Sequence, residues 1–272
     1  MKKIFILPLM AVAAIFTGCF DQVEEYTINA DNSGSCSVKV DMSKMIAFVE
    51  QIGGAESLKN DPNFSRLTDT VVYFKDYADT ASELTADQKK WLRDAKLTVK
   101  SKLESKLLNM EFEVPFKNMN DWNKMYNQAD GGIFGLMSKI MDAKSDLQDE
   151  EDTKEAEEDS EEMDEEKGKD DFGWDKLQTA YTTTFENGLI KRQVDAEKFE
   201  GLKDNEFVGK MMQMLAFIGD SQFTTVFKLP RAAKSTKGTA VELSADKKTV
   251  TLKYTLSKLL EDPSVGNFSV EY

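Results

Sequence analysis

The chain carries few side chains suited to acid–base or nucleophilic chemistry near neutral pH. It contains no histidine and two cysteines, Cys19 and Cys36. The lack of histidine excludes Ser-His-Asp and Cys-His catalysis and nearly every kind of zinc site. Hydrolysis by a pair of carboxylates stays open in principle, because the chain has 49 Asp and Glu residues, but no spacing indicates it. The sequence therefore predicts no catalytic residues, no metal ligands and no cofactor.

Cys19 follows a segment with the layout of a signal peptide. Lys2 and Lys3 make a basic start, and residues 4–16 form an uncharged, mostly apolar stretch of 13 residues. Crossing a bilayer as a helix takes about twenty apolar residues, and neither this stretch nor any later one reaches that length. We expect residues 1–18 to be a cleaved signal peptide.

The end of this segment, Phe16-Thr17-Gly18-Cys19, resembles the lipobox of bacterial lipoproteins, in which small residues precede an invariant Cys. Phe16 stands where Leu is usual. The resemblance implies that Cys19 receives a thioether-linked diacylglycerol and becomes the new N-terminus. Since each buried methylene contributes about 0.8 kcal/mol, two or three acyl chains give a firm membrane anchor. The alternative is an ordinary cleaved signal followed by a chance Cys.

Cys36 is the one thiol that remains once Cys19 is acylated, so no intramolecular disulfide is expected. In residues 35–40 it alternates with polar positions and shares a strand face with Val38 and Val40. This pattern predicts a buried strand residue. An exposed thiol that pairs with another chain is the alternative.

Acidic residues are concentrated in one segment. The whole chain has a net charge of −14, and residues 142–171 alone hold 17 Asp or Glu and four Lys, a net −13. Such a segment cannot bury enough apolar surface to fold, so we predict a disordered acidic linker. It lacks the central Gly of an EF-hand, although loose binding of divalent ions stays open. The remainder is nearly neutral, so we expect no binding to nucleic acid.

Turn residues and hydrophobic periodicity divide the rest into strands and helices. Before the linker they predict strands at 26–30, 35–41, 69–75, 96–102 and 107–116, with helices at 42–52, from Thr85, and at 119–126. After it they predict strands at 180–185, 189–194, 223–228, 240–243, 249–256 and 268–272, with a helix at 205–218 and a helical turn at 256–260.

These elements predict an α+β fold of two similar halves, residues 19–141 and 172–272. Each half would consist of antiparallel β-hairpins packed with amphipathic helices, with the acidic linker between them. The order hairpin, helix, strand, hairpin, helix occurs at about residues 23–130 and 178–262, which suggests an internal duplication. Generously drawn element boundaries would produce the same order by chance, and both interpretations stay open.

A methionine-rich stretch is the candidate binding surface. Residues 211–218 are apolar on nearly every side of the predicted helix, and the candidate residues for an apolar ligand or partner are Met211, Met214, Phe217 and Ile218. Methionine suits surfaces that accept varied apolar partners. A stripe at helical spacing more often packs into a core, and this is the alternative.

The two ends of the mature chain, residues 31–43 and 250–272, resemble bacterial lipoproteins of the LppM type. That resemblance implies a membrane-anchored, non-enzymatic domain able to bind lipid. We therefore predict a binding or assembly module of the cell envelope, with a carrier or sensor of a lipid or other apolar ligand as the alternative. Expected partners are the membrane, through acylated Cys19, and an envelope protein or lipid.

The location predicted for this module is the outer membrane, facing the periplasm. Asp21, Glu24 and Glu25 resemble the acidic export signal of surface lipoproteins in Bacteroidetes, but Phe20, Gln22 and Val23 interrupt them. The cell surface is therefore the alternative location.

Overall fold

The structure is a computed structural model, and it describes residues 21–51, 69–82, 84–102, 105–128, 177, 179–203, 208–209 and 219–272. Two predicted segments, the acidic linker at 142–171 and most of the helix at 205–218, lie outside these residues, as does the signal peptide.

The described chain contains both strands and helices. Before residue 129 they are β1 (Asp21–Ile28), β2 (Gly34–Asp41), α1 (Ser43–Gln51), β3 (Thr70–Tyr73), α2 (Lys75–Thr80), α3 (Ala86–Leu92), β4 (Lys96–Lys102), β5 (Leu107–Phe116) and α4 (Met119–Tyr126). After residue 176 they are β6 (Tyr181–Glu186), β7 (Leu189–Val194), α5 (Ala196–Lys203), β8 (Gln222–Lys228), β9 (Ser235–Lys237), β10 (Val241–Leu243), β11 (Thr249–Thr255), α6 (Leu256–Glu261), a 3₁₀ turn (Pro263–Gly266) and β12 (Phe268–Glu271).

The strands of the described chain form two sheets. The larger has eight strands in the order β10-β11-β8-β1-β2-β5-β4-β3, and the smaller has four in the order β6-β7-β12-β9. β1 and β8 run parallel, with Asp21 opposite Gln222 and Thr27 opposite Lys228. The α+β class predicted from the sequence is confirmed.

The β1–β2 hairpin shows how local sequence sets the register. The Asp31 carboxylate accepts hydrogen bonds from the backbone N–H of Ser33 at 3.0 Å and from its hydroxyl at 2.6 Å. Asn32 takes a φ of 66°, a left-handed conformation that Asn tolerates better than most residues. Position 34 requires glycine, because a Cβ there would overlap the backbone carbonyl of Thr27. The predicted hairpin is confirmed.

Side chains alternate between the two faces of the eight-stranded sheet. On the inner face Tyr26, Cys36, Val38, Phe112 and Val114 are buried, so the interpretation of Cys36 as a buried strand residue is confirmed. The outer face carries ion pairs between neighbouring strands: Lys39 with Glu111 (3.4 Å), Lys96 with Glu113 (3.0 Å) and Lys228 with Glu25 (2.7 Å). One face therefore borders the core and the other meets solvent, as is common in largely antiparallel sheets.

The inner face is covered by helices and by the four-stranded sheet. The ring of Tyr26 on β1 lies 5.6 Å from Trp122 of α4, 5.4 Å from Phe185 of β6 and 5.0 Å from Phe227 of β8. A single aromatic core thus joins residues that precede the linker to residues that follow it.

Side-chain caps and amides hold the helices in place. Thr85 and Gln88 form a capping box that starts α3, as predicted for Thr85. Asn118 caps α4 by accepting from the backbone N–H of Asp121 at 2.9 Å. Further along α4, Asn127 donates to the carbonyl of Thr183 at 2.7 Å, and Asn123 accepts from the N–H of Phe185 at 2.9 Å. These last two bonds attach α4 to β6.

The arrangement of the two halves differs from the expected one in two respects. Strands β8, β10 and β11 join the first half's sheet, and the β1–β8 pair is parallel where hairpins alone predict antiparallel pairing. The segment 223–228, which echoes 70–75 in sequence, forms a central strand, whereas β3 lies at an edge. Local patterns encode strands and turns but not which distant strand completes the sheet. Three short elements, α2, α5 and β9, were also not predicted.

Candidate functional site

The site residues predicted from the sequence lie outside the described residues. They are Cys19, Met211, Met214, Phe217 and Ile218. The structure instead fixes their neighbours in the chain. β1 begins at Asp21, two residues after Cys19, and β8 begins at Gln222, four residues after Ile218. Asp21 and Gln222 are partners in the parallel pair, and the Gln222 N–H donates to the Asp21 carboxylate at 3.3 Å. Both segments therefore meet the fold at one end of the sheet, which we call the anchor end.

A buried carboxyl group lies on the inner face of the same strand. Glu24 is 5% exposed, accepts from the Tyr26 hydroxyl at 2.5 Å and faces the Thr225 hydroxyl of β8 at 3.5 Å. Burial raises the pKa of Glu24 above its usual value, while the bond from Tyr26, the charge of Arg192 and the contact with Thr225 oppose that rise.

Arg192 of β7 brings a cation into this region from the opposite sheet. Its guanidinium is 9% exposed, lies 4.2 Å from the ring centre of Tyr181 and donates through Nη1 to the Tyr254 hydroxyl at 3.3 Å. Burial disfavours its charge, but nearby Tyr254, Tyr126, Glu24 and Tyr181 outweigh that effect and raise its pKa. Among the described atoms, Arg192 Nε has no hydrogen-bond partner.

A group of eight residues lies between the two sheets, and we call it the buried cluster. Its members are Glu24, Tyr26, Cys36, Tyr126, Tyr181, Arg192, Thr225 and Tyr254. Burial and the nearby Glu24 raise the pKa of the Cys36 thiol well above its usual value, and the bond from Tyr26 only partly opposes this. A thiol held in that way is a poor nucleophile. The cluster joins the two sheets.

This cluster was not predicted, although a signal was present in the sequence. Alternation along β1 places Glu24 on the face of Tyr26 and Ile28, and alternation along β7 places Arg192 on the face of Ile190. The predicted first strand began at Tyr26, and Glu24 was therefore assigned to an exposed acidic segment before it.

A groove opens at the other end of the eight-stranded sheet. Its volume is about 190 Å³. It is lined by the apolar residues Trp91, Pro115, Phe116, Trp122 and Met125 and by Ser33, Lys90, Asp94, Lys117 and Asp121. We call this the distal groove. Lys90 forms an ion pair with Asp121 at 3.3 Å, and Trp122 Nε1 is buried without a hydrogen-bond acceptor among the described residues.

The distal groove and the anchor end are separated by the length of a strand. Asp21 begins β1, and Ser33 lies in the turn that follows β1's last residue, Ile28. Eight residues of β-strand span about 27 Å at 3.4 Å per residue. The groove therefore opens far from the point where the chain leaves toward Cys19.

Two further properties concern the described part of the chain. None of its helices is long and apolar enough to cross a membrane. In the same residues, no group of three or more Cys, Asp or Glu side chains is placed to hold a metal ion.

Comparison with known proteins gives one distant likeness. No protein-family model matches the chain, and no curated protein matches it. Among solved structures, the chain is similar to the NMR structure of the folded domain of LppM from Mycobacterium tuberculosis, with 9% sequence identity and a TM-score of 0.32. The alignment covers 100% of this chain and 95% of that one.

Proposed function

We propose that this protein is a lipid-anchored envelope protein that acts as a non-enzymatic binding or assembly module. Acylation of Cys19 would place the anchor end against the membrane, because β1 starts two residues later. The observation that carries the proposal is the distal groove, which opens a strand length away from that end. We propose that it binds an extended segment of another envelope protein in the periplasm, with the outer membrane as the site of anchoring.

The size of the groove supports a peptide segment as its occupant. Pockets for drug-sized ligands usually enclose about 300 to 1,000 Å³. The distal groove has about 190 Å³, enough for one ring-sized side chain. Its walls of Trp91, Pro115 and Phe116 suit an aromatic or proline ring, as in grooves that bind extended proline-rich segments. Lys117 and Asp94 at the rim form no ion pair with described residues, so they can meet charges on the partner.

The chemistry around the groove favours binding over catalysis. Its one hydroxyl side chain, Ser33, is engaged in the β1–β2 turn, where it donates to Asp31 at 2.6 Å and accepts from Asn29 at 3.0 Å. No thiol lines the groove. The proposal of a non-enzymatic role rests on this lining and on the burial of Glu24 and Arg192.

The lipid anchor is tested by metabolic labelling with an alkyne analogue of palmitate in a bacterium that processes lipoproteins. We expect label on the wild-type chain and none on Cys19→Ala, which should accumulate with its signal peptide uncleaved. Label retained by Cys19→Ala would overturn the anchoring residue. Protease treatment of intact cells then separates the two locations, since digestion of the mature chain would place it on the cell surface.

The binding role is tested with a photo-crosslinking amino acid at Lys117 in the full chain, in living cells. We expect one dominant cross-linked envelope protein, with the linked peptide identified by mass spectrometry. The same crosslinker at Lys247, in the exposed turn between β10 and β11, serves as the control. Trp91→Ala should abolish the product from position 117. Equal products from both positions, or a product that Trp91→Ala leaves unchanged, would contradict the proposal.

One observation favours a second function, the transport or sensing of a lipid or other apolar ligand. The described chain resumes at Gly219, three residues before the Gln222–Asp21 pair, so the segment with Met211, Met214, Phe217 and Ile218 is joined in sequence to the anchor end. Native mass spectrometry of the chain purified from a periplasm tests this function. A bound lipid that is lost in a folded Met211→Gln/Met214→Gln variant would support it, and a clean apo mass would count against it.

A further inference from the structure

The turn between β6 and β7 contains the one Asn-Gly sequence of the chain, Asn187-Gly188. Glu186 and Leu189 on either side are partners in the β6–β7 ladder, so these two residues form the tip of a tight hairpin. Gly188 has a φ of 89°, a left-handed conformation that glycine adopts at no steric cost. Asn187 is exposed, so its side-chain amide is open to water.

An Asn side chain can react with the backbone nitrogen of the residue that follows it. Here the nitrogen of Gly188, after losing its proton, would attack Cγ of Asn187. The new N–Cγ bond closes a succinimide ring, the Cγ–Nδ2 bond breaks and ammonia leaves. Water then opens the ring at either carbonyl and gives aspartate or isoaspartate, in which the backbone gains one methylene. A Cβ on the following residue hinders the attack, and glycine has none.

A second hairpin asparagine, Asn32, shows how the fold can suppress this reaction. The nitrogen that would attack the Asn32 side chain belongs to Ser33, and its N–H donates to the Asp31 carboxylate at 3.0 Å. Reaction at Asn32 must first break that bond. By contrast, no described group accepts a hydrogen bond from the Gly188 N–H. The structure therefore protects Asn32 and leaves Asn187 unprotected.

We propose that Asn187 is a site of spontaneous deamidation in the folded protein, and that isoaspartate there weakens the attachment of the β6–β7 turn to the end of β12. The Gly188 carbonyl accepts from the backbone N–H of Tyr272 at 2.9 Å, and Tyr272 is fully buried. The Arg231 guanidinium lies 3.1 Å from where a Cβ of Gly188 would stand and 5.4 Å from the centre of the Tyr272 ring. A methylene added just before Gly188 would move its carbonyl away from these partners.

The test follows both asparagines in one sample of the mature chain, incubated at mildly alkaline pH. Trypsin releases residues 177–191, in which Asn187 is the only asparagine, and a peptide ending at Lys39 that carries Asn32. Mass spectrometry measures the conversion of amide to acid at each position, and chromatography separates isoaspartate from aspartate. We expect conversion at Asn187 that becomes faster as pH rises and that is absent from Asn187→Gln.

The same incubation in urea separates the effect of the fold from that of the sequence. Folding should leave the rate at Asn187 within a few-fold of its value in the unfolded chain. It should slow Asn32 by about tenfold or more, because a hydrogen bond to a charged group must break first. Protection of Asn187 as strong as that of Asn32, or an Asn187 that stays intact while the unfolded chain reacts, would overturn the proposed site.

The structural consequence is tested on protein that has been aged in this way. The deamidated fraction, separated by ion exchange and checked for isoaspartate at position 187, should melt at a lower temperature than fresh protein. Freshly purified Asn187→Asp carries the same charge on a normal backbone and should melt like the wild-type chain. An isoaspartate fraction that melts like Asn187→Asp would show that the turn holds β12 no less firmly after the change.

Discussion

At the scale of single residues, Glu24 is an ionisable group that is buried in the core. It is buried beside Tyr26 on the inner face of the eight-stranded sheet, and burial raises its pKa. Between the usual pKa of Glu and this raised value, the folded state binds a proton that the unfolded state has lost. The contribution of Glu24 to stability is thus present at low pH and lost as pH rises through the folded pKa.

Tyr26→Phe should make this loss larger. The Tyr26 hydroxyl donates to Glu24 at 2.5 Å and favours the charged carboxylate, so its removal raises the Glu24 pKa further. We expect the variant to lose about 1 to 3 kcal/mol of unfolding free energy at pH 8 and clearly less at pH 5. Urea denaturation at both pH values measures the difference.

Glu24→Gln is the control for the charge, because it keeps an acceptor for Tyr26 and cannot ionise. Its unfolding free energy should change less with pH than that of the wild-type chain. A Tyr26→Phe loss of the same size at pH 5 and pH 8 would show that the hydroxyl does not act through the Glu24 charge.

At the scale of elements, the first hairpin depends on a close approach of two strands. A Cβ added at Gly34 would lie 2.1 Å from the carbonyl oxygen of Thr27 and 2.6 Å from the ring of Phe116. We expect Gly34→Ala to destabilise the protein by about 1 to 3 kcal/mol, the usual range for overpacking, because a backbone atom must move. Thermal and urea denaturation of the purified variant measure this loss.

Gly201→Ala is the matched control for Gly34→Ala. Gly201 lies within α5 and is exposed, and a Cβ added there would have no neighbouring atom within 4 Å. Alanine at this position should stabilise the protein by about 0.5 to 1 kcal/mol, the helix-propensity difference from glycine. If both variants were destabilised alike, the Thr27 contact would not explain the effect at Gly34.

The elements show what local sequence determines. The ranges predicted for β4, β5, β7 and α4 coincide with the observed ones, because alternation and turn residues act over a few positions. The pairing of β1 with β8 joins residues about 200 positions apart, and no local pattern encodes it. The distal groove was equally out of reach, since Trp91, Phe116 and Trp122 come together only after α3, β5 and α4 have packed.

At the scale of the whole molecule, the acidic segment is expected to contribute little to stability. Residues 145–170 make up 26 of the 48 positions between Gln128 and Leu177. Roughly halving a flexible connection changes its closure entropy by only about 0.6 kcal/mol, in the favourable direction. We therefore predict that deleting residues 145–170 leaves the melting temperature nearly unchanged. Differential scanning calorimetry checks this, and a large drop would show that the segment is part of the folded structure.

The two halves should not fold independently. β1 pairs with β8 over seven residues, and Tyr26 stacks against Phe227 and packs on Phe185, so each half supplies core that the other needs. Residues 19–141 alone would expose that face and leave Glu24 without Thr225 and Arg192. We expect this fragment to aggregate or to lack cooperative unfolding, whereas the full chain should unfold in one transition with coincident curves from tryptophan fluorescence and far-UV circular dichroism. A soluble fragment with its own sharp transition would show instead that the shared sheet is a docking of two domains, each stable by itself.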